Sequence, residues 1–306
     1  MPSDARLKDV LGMEEERTVL SVIQWGAAQL STRGFEDARL NVELLLSHSL
    51  GTRAAGLHGI LDRRVTSEEF DRFLQLLQRR LRHEPLQYIT GEAEFMGITL
   101  SVNKQVLIPR PETELLVERA LSIIKTIRKE TIQVLDIGTG SGNIPIAIAS
   151  FAPAVSVTSI DVSQGALETA ARNAARHSIS SVMFRHADVF AEFPPGQQFD
   201  VIVSNPPYIS RDDFALLEPE VREFEPAIAT TGGEDGLRFL RRISELSAGK
   251  LYAGGWLLME LSYDQSVEAV EILRNKGLSN VELFDDYQGI PRIIQAQVPI
   301  SAGTMV

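Results

Sequence analysis

Ile132 to Ile137, Val155 to Ile160, Phe199 to Ser204 and Gly255 to Leu261 are short apolar runs, each separated from the next by a longer amphipathic stretch. A strand that is apolar on both faces has to be covered on both, and a parallel connection has to cross back over the sheet, usually as a helix. The pattern begins near Glu112 and predicts an α/β fold with a mostly parallel sheet. Two later strand candidates, Val281 to Phe284 and Arg292 to Val298, are joined only by Asp285 to Pro291. So short a connection allows a hairpin and no crossover, so one strand near the edge is expected to run antiparallel.

The first 85 residues carry a different period. Apolar side chains recur at helical spacing in Val19, Val22, Ile23, Gly26 and Leu30, in Val42, Leu45, Leu46 and Ser49, and most clearly in Phe70, Phe73, Leu74, Leu77 and Leu81. The last group is preceded by Thr66 with Glu69 three residues on, a capping-box pattern. This region reads either as a bundle that stabilises its neighbour or as a docking domain for a macromolecular substrate. Glu84-Pro85 ends it. From Tyr88 to Leu107, β-like stretches broken by Gly91, Gly97 and Asn103 suit a hairpin linker, which ends in the stiff Ile108-Pro109-Arg110-Pro111.

Composition narrows the chemistry. Lys and Arg total 30 against 41 Asp and Glu, a net charge of -11 that repels a polyanion at long range. The absence of cysteine excludes a disulfide framework, a thiolate metal site and a cysteine nucleophile. The five histidines, His48, His58, His83, His177 and His186, lack metal-ligand spacing, and no metal is expected. Met1 to Leu20 has no uninterrupted apolar core, and no apolar run approaches the ~20 residues that span a bilayer. A cytoplasmic protein with no membrane partner is expected, and Ser301 to Val306 reads as a frayed tail.

Three constellations carry chemistry. Asp136-Ile137-Gly138-Thr139-Gly140-Ser141-Gly142 stands between a strand and a helix, where bare glycine backbone lets a ligand approach the sheet edge. A dinucleotide fingerprint would need glycine where Asn143 stands. The spacing Gly138, Gly140, Gly142 instead resembles the first motif of Rossmann-like methyltransferases. Asp161, at the end of the next strand, is placed either to accept both ribose hydroxyls or to cap the helix opened by Ser163 and Gln164. Asp188, after the third αβ unit, is a candidate for an adenine amino group, and Val189 for a backbone contact to the ring.

The third constellation is Asn205-Pro206-Pro207-Tyr208, directly after a strand. Pro206 holds Asn205 extended, and in open α/β sheets ligands bind beyond the carboxyl ends of the strands. The lone pair of an amide or aniline-type NH2 is delocalised, so such a group is a poor nucleophile. Two acceptors, the Asn205 side-chain oxygen and the Pro206 carbonyl, would take its N–H bonds and aim the lone pair at a sulfonium methyl. Tyr208 would pack on the planar group and exclude water.

These motifs, together with Pro85 to Gly91, Glu94-Phe95, Val106 to Glu114, Glu218-Pro219-Glu220, Gly232 to Leu237 and Asp286 to Arg292, resemble the peptide-chain release factor glutamine methyltransferases, the PrmC/HemK family. The resemblance covers residues 80 to 295, and the helical start matches in layout more than in motif. It implies a class I, Rossmann-like methyltransferase domain with a mostly parallel seven-stranded sheet, a small N-terminal helical domain and a β-hairpin linker. The expected division is a helical substrate-docking domain over 1–85, the hairpin linker over 86–110 and an S-adenosylmethionine-dependent methyltransferase domain over 111–300.

The implied reaction methylates N5 of the glutamine in the Gly-Gly-Gln motif of bacterial class I release factors. S-adenosyl-L-methionine would be the cofactor and S-adenosyl-L-homocysteine the product, and a monomer without nucleic acid is expected. Carried over by position, Gly138 to Gly142, Asp161, Asp188, Val189 and Asn205 would contact the cofactor. Asn205, Pro206, Pro207 and Tyr208 would hold the glutamine, with Asn205, Pro206 and Tyr208 as the catalytic group. Val189 departs from relatives that carry Trp there, and Thr158-Ser159-Ile160-Asp161 is more polar than usual. Arg110 and Glu112 read as an ion pair at the hinge or as direct participants. The runner-up is an adenine-N6 DNA or RNA methyltransferase using the same clamp. A nicotinamide dehydrogenase is disfavoured by Asn143, and an adaptor would leave the loop and clamp unexplained.

Overall fold

The apolar runs become the centre of a seven-stranded sheet. The computed structural model describes residues 17–191 and 196–300, so the expected tail Ser301 to Val306 and most of Met1 to Leu20 lie outside the described residues. The chain forms two compact units, Met1–Gly91 and Glu92–Val306.

The first unit is built on α1 (Val19–Ser31), α2 (Ala38–Leu50), the short α3 (Ala54–Leu57), α4 (Ser67–Arg80) and α5 (Leu86–Thr90). Thr66 caps α4 through the reciprocal box with Glu69, and Phe70, Phe73, Leu74 and Leu77 are buried on one face, as their spacing predicts. Thr18 and Ser21 form a second such box at the head of α1. Burying each large apolar side chain contributes about 1.5–3 kcal/mol, which is what holds helices this short. Arg79 and Arg80 are consumed inside the unit: Arg79 pairs with Glu84 at 2.8 Å, and buried Arg80 donates to Asn41 at 2.7 Å and stacks on Phe35.

One expectation fails here. Tyr88 to Thr90 is helix, not strand. Pro85 stops α4 from continuing, but its fixed φ suits the start of a new turn, and burial of Tyr88 and Ile89 outweighs their β preference. Gly91, at φ 78°, closes that turn.

The second unit opens with the hairpin β1 (Glu92–Phe95) and β2 (Ile98–Ser101), whose two-residue turn Met96-Gly97 has both φ values positive. There follow α6 (Pro111–Ile124), β3 (Ile132–Ile137), α7 (Asn143–Phe151), β4 (Val155–Asp161), α8 (Gln164–Arg176), β5 (Val182–His186) and β6 (Phe199–Ser204). Then come α9 (Arg211–Phe214), α10 (Pro219–Phe224), α11 (Ala227–Thr230), α12 (Arg238–Lys250), β7 (Leu251–Glu260), α13 (Ser266–Asn275), β8 (Ser279–Asp285) and β9 (Pro291–Gln297). The strand order is β5-β4-β3-β6-β7-β9-β8, and β9 runs antiparallel to both neighbours, as the short connection requires.

The hairpin is tied to α8 and its cap by Arg176, which pairs with Glu92 at 2.8 Å, by His177, 2.7 Å from the Thr99 carbonyl, and most deeply by Asn173. Asn173, fully buried, accepts from Ser101 N at 2.8 Å and donates to the carbonyls of Ser101 and Ser141, both at 2.9 Å. It thereby ties β2 to the glycine loop.

Candidate active site

β3 and β6 are adjacent and parallel, with Ile137 opposite Ser204, so both end at the same level. Ser204 Oγ donates to the Ile137 carbonyl at 2.7 Å and locks the two ends together. Because β4 and β5 lie on one side of β3 and β6 on the other, this is where the winding of the sheet reverses, the usual ligand position in such folds. The glycine loop leaves β3 and the Asn205 segment leaves β6 side by side. A Cβ on Gly138 would come within 3.7 Å of the Asn205 carbonyl.

Between them lies a cavity of about 280 Å³. Gly138, Gly140, Ser141, Asp161, Asp188, Val189, Asn205, Pro206 and Pro207 all line it; Thr139, Gly142 and Tyr208 do not. Gly138 and Gly140 have φ of 87° and 54°, and a side chain at Gly140 would project into open space, so bare backbone forms that wall. Gly142 serves packing instead: its Cβ would meet Ile146 at 2.9 Å and Ala170 at 3.0 Å.

Thr139 turns inward, to Ser159 at 2.7 Å, while Ser159 donates its single proton to Asp136 at 2.5 Å. Thr139 must therefore donate to Ser159. Ser159, at the unusually polar β4 end, thus links Thr139 to Asp136, while Thr158 accepts from Gln197 at 3.3 Å. Burial pushes the Asp136 carboxyl up to about 7, with Ser159 opposing and the Asp161 charge adding. Its Oδ1 is buried with no hydrogen-bond partner in the protein.

Asp161 accepts from Gly140 N at 2.9 Å and from Ser163 N at 2.8 Å, bracing the loop against the head of α8. The cap of α8 is Ser163, whose side chain accepts from Ala166 N. Each Asp161 oxygen keeps a second lone pair at the cavity wall. Asp188 accepts from Phe190 N at 2.9 Å, and the Val189 carbonyl already accepts from Arg242 at 2.8 Å. The aromatic surface here comes from Phe190 and Phe239, in edge contact at 5.1 Å, with the Arg238 guanidinium 4.2 Å from the Phe190 ring centre.

The clamp is tied to the sheet and to α6. Asn205 Nδ2 donates to Thr113 Oγ1 at 2.9 Å, Thr113 donates to Glu260 Oε2 at 2.7 Å, and the Tyr208 hydroxyl donates to Glu260 Oε1 at 3.3 Å. Thr113 and Glu260 are 1% and 2% exposed. Burial raises the Glu260 carboxyl to about 7, opposed by its bonds to Thr113 and Tyr208, and it raises the Tyr208 phenol as well.

A model of the PrmC N-terminal domain matches residues 21–91, and one of the methyltransferase small domain matches residues 113–219. The chain is 40% identical over 282 residues to a release factor glutamine methyltransferase of Geobacter sulfurreducens, covering 92% of this chain and 97% of that one. It is 41% identical over 263 residues to its counterpart from Koribacter versatilis, covering 86% and 92%. The chain belongs to the release factor glutamine methyltransferase family. A solved structure of the release-factor-specific protein-(glutamine-N5) methyltransferase from Alicyclobacillus acidocaldarius is also similar, at 30% identity, covering 65% of this chain and 99% of that one, with a TM-score of 0.40. The chain is thus an enzyme of this family with a class I, Rossmann-like methyltransferase fold.

Segments that match the family's pattern acquire physical reasons. Gly232 and Gly236 pack against the backbone of the clamp: a Cβ would stand 2.7 Å from the Pro207 carbonyl at Gly232 and 2.3 Å from the Tyr208 carbonyl at Gly236. Gln265 donates to the same Tyr208 carbonyl at 2.9 Å. Arg110 lines the cavity and pairs with Glu225 at 2.6 Å, so the ion pair expected with Glu112 is made with a different partner. Burial raises the Glu225 carboxyl and Arg110 opposes the shift. Sequence reasoning missed Thr113, Glu260, Phe190 and Phe239. The available signal for Glu260 was an acid ending the apolar run Trp256 to Met259; for the two phenylalanines there was none, since their meeting depends on how α12 packs.

Proposed function

We propose that this chain transfers a methyl group to the side-chain amide nitrogen of the glutamine in the Gly-Gly-Gln motif of bacterial class I release factors. The observation that carries the reading is the level ending of β3 and β6, which puts the glycine loop and the Asn205 clamp on one cavity. When bound, S-adenosyl-L-methionine supplies a methyl group on positively charged sulfur and leaves as S-adenosyl-L-homocysteine. The bare wall at Gly138 and Gly140, which a Cβ would fill, fits that group, as do Asp161 for ribose hydroxyls and Asp188, Phe190 and Phe239 for the base. Ser141, Asn205 and the backbone at Val189 complete this contact set, with Thr139 and Gly142 shaping the loop from behind.

The clamp's task is orientation. Asn205 Oδ1 and the Pro206 carbonyl accept the two N–H bonds of the glutamine amide, which turns its lone pair toward the methyl carbon. Pro207 walls off water at the cavity, and Tyr208, which does not line it, backs the clamp through its bond to Glu260. The N–C bond forms as the S–C bond breaks, and the electron pair of the broken bond stays on sulfur. The nitrogen becomes acidic only then, so one N–H proton leaves along its hydrogen bond to the clamp and passes to water; no base is needed beforehand. The helical unit is read as the docking element for the release factor, with 86–110 as linker and 111–300 as catalytic domain, in a cytoplasmic monomer.

Incubating unmodified release factor with the chain and S-adenosyl-L-methionine, followed by mass spectrometry, tests the reading. One added methyl group on the Gly-Gly-Gln peptide, lost in Asn205→Ala, is the expected result. Methyl transfer to adenine in nucleic acid instead would overturn the substrate assignment; the charge of -11 and the internal pairing of Arg79 and Arg80 argue against it.

A further inference from the structure

We propose that Glu260, acting through Thr113, is the positioning group that decides which end of the Asn205 side-chain amide faces the substrate. The inference rests on the reading above, in which Asn205 Oδ1 must accept a substrate N–H. An Asn side chain has two ends of nearly equal shape, and only one is an acceptor; rigid backbone at Asn205-Pro206 leaves that choice open.

Proton counting makes the choice. An ionised carboxylate only accepts, so the single Thr113 hydrogen goes to Glu260 Oε2 at 2.7 Å. The hydroxyl then has only lone pairs left for its neighbour at 2.9 Å, which must be the Asn205 NH2. Turning the amide over would set oxygen against oxygen in a site where Thr113 and Glu260 are buried, so Oδ1 is left for the substrate. The other Glu260 oxygen takes the Tyr208 hydroxyl at 3.3 Å, so both ends of the clamp hang on one carboxylate.

The arrangement also has a proton-dependent failure. A protonated Glu260 can donate to Thr113, freeing the Thr113 hydrogen to point at Asn205 and favour the reversed amide. The charged and titratable groups facing Glu260 are Tyr208 from the clamp, Glu112 from α6, which disfavours its ionisation, and Arg292 from β9, which favours it. Arg292 is itself bonded to Asp286 at 3.2 Å. The Glu260 carboxyl stands at about 7, within the range where this change would be felt in an assay.

Steady-state methyl transfer at saturating intact release factor, measured across pH 6 to 9, tests the relay. Wild-type kcat is expected to rise through about pH 7 as Glu260 ionises. Thr113→Val should lower kcat by about 100-fold, the scale of a misplaced reacting group, with the Kd for S-adenosyl-L-methionine unchanged. Thr113→Ser, which keeps the hydroxyl, should restore the lost rate. Glu260→Gln, which accepts from Thr113 yet does not titrate, should flatten the rise through pH 7. Wild-type kcat in Thr113→Val, or an unchanged pH profile in Glu260→Gln, overturns the relay provided Asn205→Ala is inactive. If Asn205→Ala is itself fully active, the clamp mechanism fails instead, and the two failures are thereby told apart.

Discussion

Asn205 is fixed by three unlike constraints: the following proline sets its backbone, Thr113 holds its amide, and Gly236 leaves room for the carbonyl of Tyr208 three residues on. The third is the least forgiving. Gly236 sits at φ 73°, and a methyl group there would stand 2.3 Å from that carbonyl and 2.6 Å from Gln265. Gly236→Ala is therefore expected to cost more than about 1 kcal/mol in stability and to displace the clamp. Transfer should fall by about 100-fold while S-adenosyl-L-methionine still binds, because the glycine loop is untouched. Equilibrium cofactor titration beside a transfer assay checks this, and parallel loss of both would place the damage in the sheet rather than the clamp.

At the scale of elements, the helices whose apolar stripe repeats every three to four residues were legible, and the Thr66–Glu69 box marked the start of α4 to the residue. The central strands were legible because both faces are buried. β5 was not read as an apolar run because it is the edge strand, with Met183 54% exposed. The short helices α9, α10 and α11 gave no periodic signal, and Tyr88 to Thr90 carried a misleading one. Nor did the sequence show that Asn173 ties the hairpin to the glycine loop, its side chain serving three backbone groups. Asn173→Ala leaves the buried Ser141 carbonyl unpaired at about 1–3 kcal/mol and frees both Ser101 groups. The thermal midpoint should fall, and hydrogen exchange should speed up at Ser101 and in the loop after Ser141 together; exchange at Ser101 alone would show that the loop does not depend on this tie.

For the whole molecule, the site opposes stability. Asp136 and Glu260 ordinarily titrate near 3.8 and 4.5 and are both raised to about 7, chiefly by burial. Raised folded values mean that their contribution to stability is complete below the unfolded values near 4 and is lost as pH rises through 7. The unfolding midpoint should therefore fall between pH 5 and pH 8, and Asp136→Asn should lessen that fall; scanning calorimetry of both proteins at the two pH values measures it. An equal fall in the variant would show that Asp136 is not held neutral in the folded state. Catalysis by the Glu260 relay is favoured in the opposite direction, since the carboxylate form orients Asn205.

The sequence by itself determined the fold class, the single antiparallel strand and the places of the glycine loop, of the acids ending β4 and following β5 and of the Asn205 segment, because each is written in local period, in short connection length or in contiguous residues. Only the tertiary structure decided which groups support them. Thr113 and Glu260 stand 147 positions apart, and Gly236 reaches Tyr208 only when the segment before α12 folds back against the chain that follows β6. Such meetings depend on strand register and on burial that both partners must share, and neither quantity exists until the sheet has closed.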